Sequence, residues 1–243
     1  MRRRDAVARA VPEPVKRLIR PVRDRLRGKD DAEFAYWRSR HADDNGRFNN
    51  AHYERLMLGM AGEPSDAFLA GTVVADFGCG PRGSLVWARS AAVRIGIDVL
   101  ADRYAEEFPD DITSHGMVYV KSTEKVIPLG TGSVDVVFTL NALDHVDEFP
   151  AMCGEVVRIL KPGGEFIGSF NLGEPATRCE PQCLDEDVIG RHLLSGLEVV
   201  SYRACDRPRE GSQYAPFFSD DEPSYTPGSE GTLWVRARKP GGG

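Results

Sequence analysis

No stretch of this 243-residue chain approaches the roughly 20 consecutive apolar residues of a bilayer-spanning helix, so the sequence offers no candidate for one. The basic N-terminus has no apolar core behind it, and a secretory leader is not expected. Cysteine is sparse and odd in number: Cys79, Cys153, Cys179, Cys183 and Cys205. That usage argues against a disulfide framework and for reduced thiols in a cytoplasmic protein. Cys179 and Cys183 stand four apart without a second Cys/His pair nearby, so no zinc site is expected. Positive charge is outnumbered beyond the first 30 residues, 20 Lys/Arg against 33 Asp/Glu. Those residues hold eleven Lys/Arg against four Asp/Glu, a net +7, which leaves −13 on the remainder of a chain whose net charge is −6. An acidic body repels a polyanion, and nucleic acid is not an expected partner. No internal repeat is visible.

The composition, 41% hydrophobic and 28% charged, is that of a globular domain. Residues 1–30 read as a basic tail interrupted by Pro12, Pro14 and Pro21. Val15, Leu18, Ile19, Val22 and Leu26 fall near helical spacing between basic residues. A solvated, flexible extension is the favoured expectation, and weak peripheral contact with an anionic membrane surface is the alternative. Residues 31–70 predict two helices, a cap joined at the Asn45-Gly46 turn. Phe34 and Trp37 share a face of the first; Tyr53, Leu56, Met57 and Met60 line the second.

From residue 71 to about 240, strands and helices alternate. Strands are predicted near 72–77, 93–98, 116–121, 134–140, 164–170, 197–204 and 232–238. Helices are predicted near 84–91, 100–107, 148–160 and 185–195. This is the pattern of a doubly wound α/β sheet, mostly parallel. No helix separates the last two strands, which predicts an antiparallel pair with a long insertion over 206–231. Tyr214, Phe217, Phe218 and Tyr225 make that insertion a candidate lid or substrate wall.

The most informative stretch is VVADFGCGPRGSLVWA, residues 73–88. Gly78, Gly80 and Gly83 spell G-x-G-x-x-G, the dinucleotide pattern. Asp98 closes VRIGID twenty residues after Gly78, where an acid binds a ribose diol. A nicotinamide dinucleotide and S-adenosylmethionine both carry such a ribose, so Asp98 does not separate them. Asp76 and Pro81 do. A carboxylate two residues before the loop suits a cationic amine and repels a pyrophosphate. Proline removes a backbone N–H where a pyrophosphate needs a donor. A nicotinamide-dependent oxidoreductase is therefore the disfavoured alternative, and a non-catalytic cofactor-binding protein is a third.

VVADFGCGPRGS, RIGIDV, STEKVIPLGTGSVDVVFTLNALDHV and EVVRILKPGGEFIGSF, in that order over about residues 70–172, resemble class I S-adenosylmethionine-dependent methyltransferases of the type 11 group. The resemblance implies a Rossmann-like seven-stranded sheet with an antiparallel last strand. It implies that Asp76 and the Gly78–Cys79–Gly80 turn face the methionine part of the cofactor. Asp98 would bind the ribose. Ser122, Thr123 and Glu124 would lie near the adenine, with Ser122 in place of the family's usual acid. Asn141 would stand at the lip of the reaction site.

Methyl transfer to a hydroxyl needs a base. His145, in LDHVDEF past the fourth strand, is the candidate, because its ordinary pKa suits the task. Asp144, Asp147 and Glu148 offer oxygen ligands for a divalent metal, but acids at a helix start equally serve its dipole, and a metal is not favoured. His52 and Tyr53 are candidate acceptor contacts from the N-terminal helices. Asn171, Glu174, Glu180 and Gln182 follow the fifth strand and suit a hydroxyl-rich acceptor. EFAYWRSR, NGRFNNAHYE and EPATRCEPQ show a looser likeness to bacterial methyltransferases of saccharide and cell-envelope pathways. The expectation is O-methylation of a saccharide or glycoside, with another small natural product as the alternative.

Overall fold

The computed structural model of the protein describes residues 28–242. Strands β1 (Val73–Phe77), β2 (Val93–Asp98), β3 (Val118–Lys121), β4 (Val134–Leu140), β5 (Leu160–Leu172), β6 (Glu198–Asp206) and β7 (Gly231–Arg238) form one sheet in the order β3-β2-β1-β4-β5-β7-β6. The pairings from β3 through β5 are parallel. β7 runs antiparallel between β5 and β6, as the missing helix between the last two strands predicts. Strand order reverses beside β1, so β1 and β4 diverge there and open a crevice at their carboxyl ends.

The helices are α1 (Lys29–Asp43), α2 (His52–Ala61), α3 (Ala101–Glu107), α4 (Pro109–Ser114), α5 (Phe149–Ile159) and α6 (Glu186–His192). Alternation along the strands sends side chains to opposite faces. Ala75, Phe77, Val137 and Phe166 pack with Met152 and Val156 of α5 and Ile189 of α6. Val74, Val136, Phe138, Ile167 and Trp234 pack with Tyr53, Met57 and Met60 of α2 and with Phe217 of the insertion. A third cluster, Phe34, Phe48, Leu100, Tyr104 and Phe108, fastens α1 to α3 and α4. The turn between α1 and α2 contains Asn45 (φ 59°) and Gly46 (φ 79°), as the Asn-Gly pair predicts. α1 begins at Lys29, inside the stretch read as tail. The rest of that tail, with its membrane-contact expectation, lies outside the described residues. No helix among the described residues is long and apolar enough to cross a membrane.

Two expectations need correction. α4 was not predicted: Pro109 starts a second short helix where the sequence reading ended one at 107. More important, residues 84–91 are not a helix but a run of turns. Arg94 supplies the reason. Its guanidinium donates to the Leu85 and Val86 carbonyls at 3.4 and 3.1 Å, taking acceptors a helix would give to its own amides. Asp66 takes the Ser90 N–H at 2.8 Å, and Leu85 and Ala88 are fully buried from these turns.

The glycine loop is closely fitted. Gly78 has φ 72°, and a Cβ there would overlap the Ala142 Cβ on the segment after β4. Gly78→Ala is expected to cost about 1–3 kcal/mol from backbone strain and overlap together. Urea unfolding checks this, and a change below about 0.5 kcal/mol would contradict the fit.

Candidate active site

Most of the residues singled out from the sequence meet at the carboxyl ends of β1 to β5. Asp76 lies near the end of β1, Asp98 ends β2, Ser122 follows β3, Asn141 follows β4, and Asn171 is near the end of β5. Five of the ten buried side-chain polar atoms that lack a partner among the described residues fall on this rim: Asp76 Oδ1, Ser122 Oγ, Asp144 Oδ1, His145 Nδ1 and Asn171 Oδ1. A buried polar atom left without a hydrogen bond is costly. Five along one crevice mark a place built to receive a polar ligand.

Asp76 is buried, and its other carboxylate oxygen accepts from the Ser84 hydroxyl. Burial pushes its carboxyl up to about 7; the Ser84 bond opposes that shift and the neighbouring Asp98 charge adds to it. Asp98 accepts from the Gly80 N–H at 3.0 Å and the Leu100 N–H at 2.8 Å. Burial raises its pKa against the pull of those two bonds. The carboxylate thus folds the glycine loop back onto β2 while retaining lone pairs for further donors. Gly78 and Cys79 direct their N–H groups at the Ile97 carbonyl at 2.8 and 3.3 Å. Cys79 is buried, which holds its thiol well above the ordinary range, and it acts as packing against Gly96.

These bonds bear on the ligand. The Gly78, Cys79 and Gly80 amides are already used, Pro81 has none, and the turns after the loop present no helix N-terminus. A pyrophosphate site relies on free amides at such a terminus. The loop thus meets a ligand through glycine backbone and the Asp76 and Asp98 carboxylates rather than through a cluster of free amides.

α1 contributes residues that the sequence reading did not assign to the site. Trp37 lies over Gly80, with its ring 2.5 Å from where a Cβ would stand. Lys29 donates to Glu124 at 2.9 Å and to Asp147 at 3.0 Å, and the Asp147 N–H donates to Glu124 at 3.1 Å. Glu33 faces Asp98 and His145; burial, reinforced by the Asp98 charge, pushes its carboxyl up to about 7. α1 therefore closes one side of the crevice. Glu124 is tied to α1 and to Asp147, while Thr123 uses its hydroxyl to accept from the Lys125 and Val126 amides. Ser122 keeps a free, buried hydroxyl beneath them.

On the other side, the imidazole Nε2 of His145 lies 3.6 Å from Glu180, and its Nδ1 is buried and unpartnered. Asp144, also buried, faces both; burial raises its carboxyl, the His145 ring opposes that shift and Glu180 adds to it. Gln182 donates to the Val146 carbonyl at 2.9 Å and pins the loop after β5 to this segment. Asn141, held at φ 48°, accepts from Ser169 at 2.8 Å and donates to the Tyr214 hydroxyl at 2.7 Å. The insertion thus reaches the site through Tyr214. His52 and Tyr53 lie ring against ring with centroids 4.2 Å apart, but they differ in burial. His52 stands at the surface near Arg82, where partial burial of its ring, and then that cation, lower its pKa. Tyr53 is buried in the α2 stripe, its hydroxyl toward Asp76; burial raises its pKa and the Asp76 charge raises it further. Among the described residues no group of three or more His, Cys, Asp or Glu side chains is placed to hold a metal ion.

The sheet order, with its antiparallel last pair, is that of the Rossmann-like methyltransferase fold. Residues 75–168 match the family described as "Methyltransferase domain", the type 11 group. The chain is 34% identical over 111 residues to the ubiquinone biosynthesis O-methyltransferase of Xanthomonas oryzae pv. oryzae, a match covering 42% of this chain and 45% of that protein. It is 32% identical over 125 residues to the malonyl-[acyl-carrier protein] O-methyltransferase of Enterobacter lignolyticus, covering 50% and 49%. The chain thus spans about half the length of the curated relatives it matches. Among solved structures, an S-adenosylmethionine-dependent methyltransferase from Mesorhizobium loti aligns with a TM-score of 0.53 at 17% identity, over 74% of this chain and 95% of that one. The [4+2]-cyclase SpnF aligns at 0.57 and 20% identity, over 78% and 81%. These structures share the fold, and a fold shared with a cyclase does not by itself fix a reaction.

Proposed function

We propose that this protein is an S-adenosylmethionine-dependent O-methyltransferase whose acceptor is the hydroxyl of a saccharide or glycoside. The observation that carries the reading is the line of unpartnered buried polar atoms from Asp76 to Asn171, within a segment matching methyltransferase domains. Both curated relatives are O-methyltransferases by name, which supports oxygen as the acceptor atom. The saccharide reading draws on the looser sequence likeness and on the amide and hydroxyl groups beyond β4 and β5.

Bound S-adenosylmethionine would supply an electrophilic methyl group on a sulfonium. The protein's residues have three tasks. Asp76 would offer its free oxygen to the cofactor's ammonium, Asp98 would receive the ribose hydroxyls, and the Ser122 hydroxyl would meet the adenine edge. α1 and its Trp37 shield the crevice from water on the loop side. His145 would take the proton of the acceptor hydroxyl, leaving that oxygen free to receive the methyl group the cofactor would supply. Glu180 near Nε2 favours the tautomer with its proton there, which leaves the buried Nδ1 lone pair as the base.

Asp76 gives the reading a pH signature. An ammonium ligand favours the carboxylate form, so binding below about pH 7 must expel the proton that burial retains. Affinity for S-adenosylhomocysteine is expected to rise with pH up to about 7 and then level off, with proton release on binding below that point. Calorimetry in buffers of different ionisation enthalpy measures the released proton. Proton uptake in that range would contradict the assignment.

A further inference from the structure

The insertion over residues 207–230 is too firmly anchored to be an idle loop. Asp206, at its root, accepts from the Thr226 N–H at 2.8 Å, the Thr226 hydroxyl at 2.9 Å and the Ser229 hydroxyl at 2.6 Å. Phe217 stacks on Trp234 with ring centroids 4.0 Å apart and planes 8° from parallel. Arg55 of α2 caps Phe218 at 4.2 Å. Arg207 pairs with Glu174 on the loop after β5, donates to Gln213 at 3.1 Å and approaches Glu230 at 3.7 Å. The insertion and the post-β5 loop are thereby joined as one wall.

What this wall covers is polar. Ser169 and Asn171 of β5 lie on the sheet face that also carries Trp234, the face toward α2 and the insertion. Thr232 of β7 pairs in register with Asn171. It is completely buried, yet its hydroxyl has no partner, and neither does Asn171 Oδ1. Asp144 is also buried with a free oxygen. The sequence places hydroxyl and amide groups where this face would otherwise be apolar, and folding alone does not satisfy them.

Tyr214 connects this polar floor to the reacting end of the crevice. Its hydroxyl meets Asn141, and Asn141 adjoins Ala142, the residue against which Gly78 fits. Tyr214 is therefore linked to the glycine loop through Asn141 and Ala142. The surrounding charge is predominantly negative. Glu174, Glu180, Glu230 and Asp144 stand against Arg207, which is already paired to two of the carboxylates. Arg178 of the same loop is itself engaged.

We propose that the acceptor is an uncharged, hydroxyl-bearing molecule seated between the carboxyl ends of β4 and β5 and the 207–230 insertion, with the Tyr214 hydroxyl as its positioning group. The inference rests on the methyltransferase reading above and narrows it: uronates and sugar phosphates are excluded, and the insertion does the selecting. Asn171 and Thr232 supply acceptors for the molecule's hydroxyls, and Tyr214 fixes the reacting oxygen relative to Asn141.

The test is ligand-observed NMR titration of the full chain loaded with S-adenosylhomocysteine. The probes are the methyl glycosides of glucose, rhamnose and fucose, with methyl glucuronoside and glucose 6-phosphate as anionic counterparts. Wild type should bind at least one neutral glycoside about tenfold or more tighter than either anion. Tyr214→Phe should weaken that binding about tenfold while S-adenosylhomocysteine affinity stays unchanged, which also shows that the variant is folded. Glu180→Gln should narrow the gap between neutral and anionic probes, a change that a purely structural role would not produce. Equal binding of the anions, no effect of Tyr214→Phe, or no neutral glycoside bound by loaded protein would each overturn the proposal while leaving the cofactor reading intact. Failure of wild type to bind S-adenosylhomocysteine would overturn both.

Discussion

His145→Ala is expected to lower kcat by about 10²–10⁴-fold while leaving S-adenosylhomocysteine affinity nearly unchanged. The separation follows from position. The imidazole stands on the segment after β4, beside Glu180 and Asp144, and makes none of the bonds that shape the glycine loop. Its loss removes the proton acceptor and leaves Asp76, Asp98 and the loop in place. Steady-state kinetics on an acceptor with its hydroxyl free, paired with calorimetry, separates the two quantities. A kcat within about threefold of wild type would remove His145 from the role of base. A parallel loss of cofactor affinity would recast it as part of the cofactor pocket.

Asp98→Ala carries the second large effect, in the opposite pattern. S-adenosylhomocysteine affinity should fall about 30-fold or more, because each charge-assisted hydrogen bond contributes about 1.5–3 kcal/mol. Two losses combine. The ribose hydroxyls lose their carboxylate, and the Gly80 and Leu100 amides that Asp98 now satisfies become buried donors without acceptors. Thermal stability should fall as well, even without ligand. Asparagine is not a rescue, since its amide nitrogen would face one of those two N–H groups. Unchanged affinity would refute the ribose assignment, and calorimetry measures it directly.

Much of this site was legible in the sequence because its determinants are local. A strand ending in an acid, a glycine turn and a second acid twenty residues on put Asp76, Gly78, Gly80 and Asp98 together through strand register alone. The same holds for Asn141 and His145, which need only follow β4. What was not legible depends on tertiary competition. Leu85-Val86-Trp87-Ala88 reads as a helix until Arg94 takes its carbonyls. Lys29, Glu33 and Trp37 read as an ordinary helix with one aromatic face; only the third apolar cluster, with Phe34 and Tyr104 at its centre, brings them over the crevice. Tyr214 was recognisable as part of an aromatic insertion, but its bond to Asn141 crosses 73 residues and has no local signature. Glu180, expected as an acceptor contact, stands beside His145, a pairing set by the turn in which Thr177 and Glu180 bond each other and invisible in the local sequence.

On the function proposed above, the glycine loop and its two carboxylates hold an adenosyl amino acid and not a dinucleotide. Calorimetric titration of the full chain with S-adenosylhomocysteine, beside NADH and NADPH, tests it most directly. The account predicts one S-adenosylhomocysteine bound per chain and no heat from either nicotinamide. Binding of a nicotinamide, with none of S-adenosylhomocysteine, would contradict it.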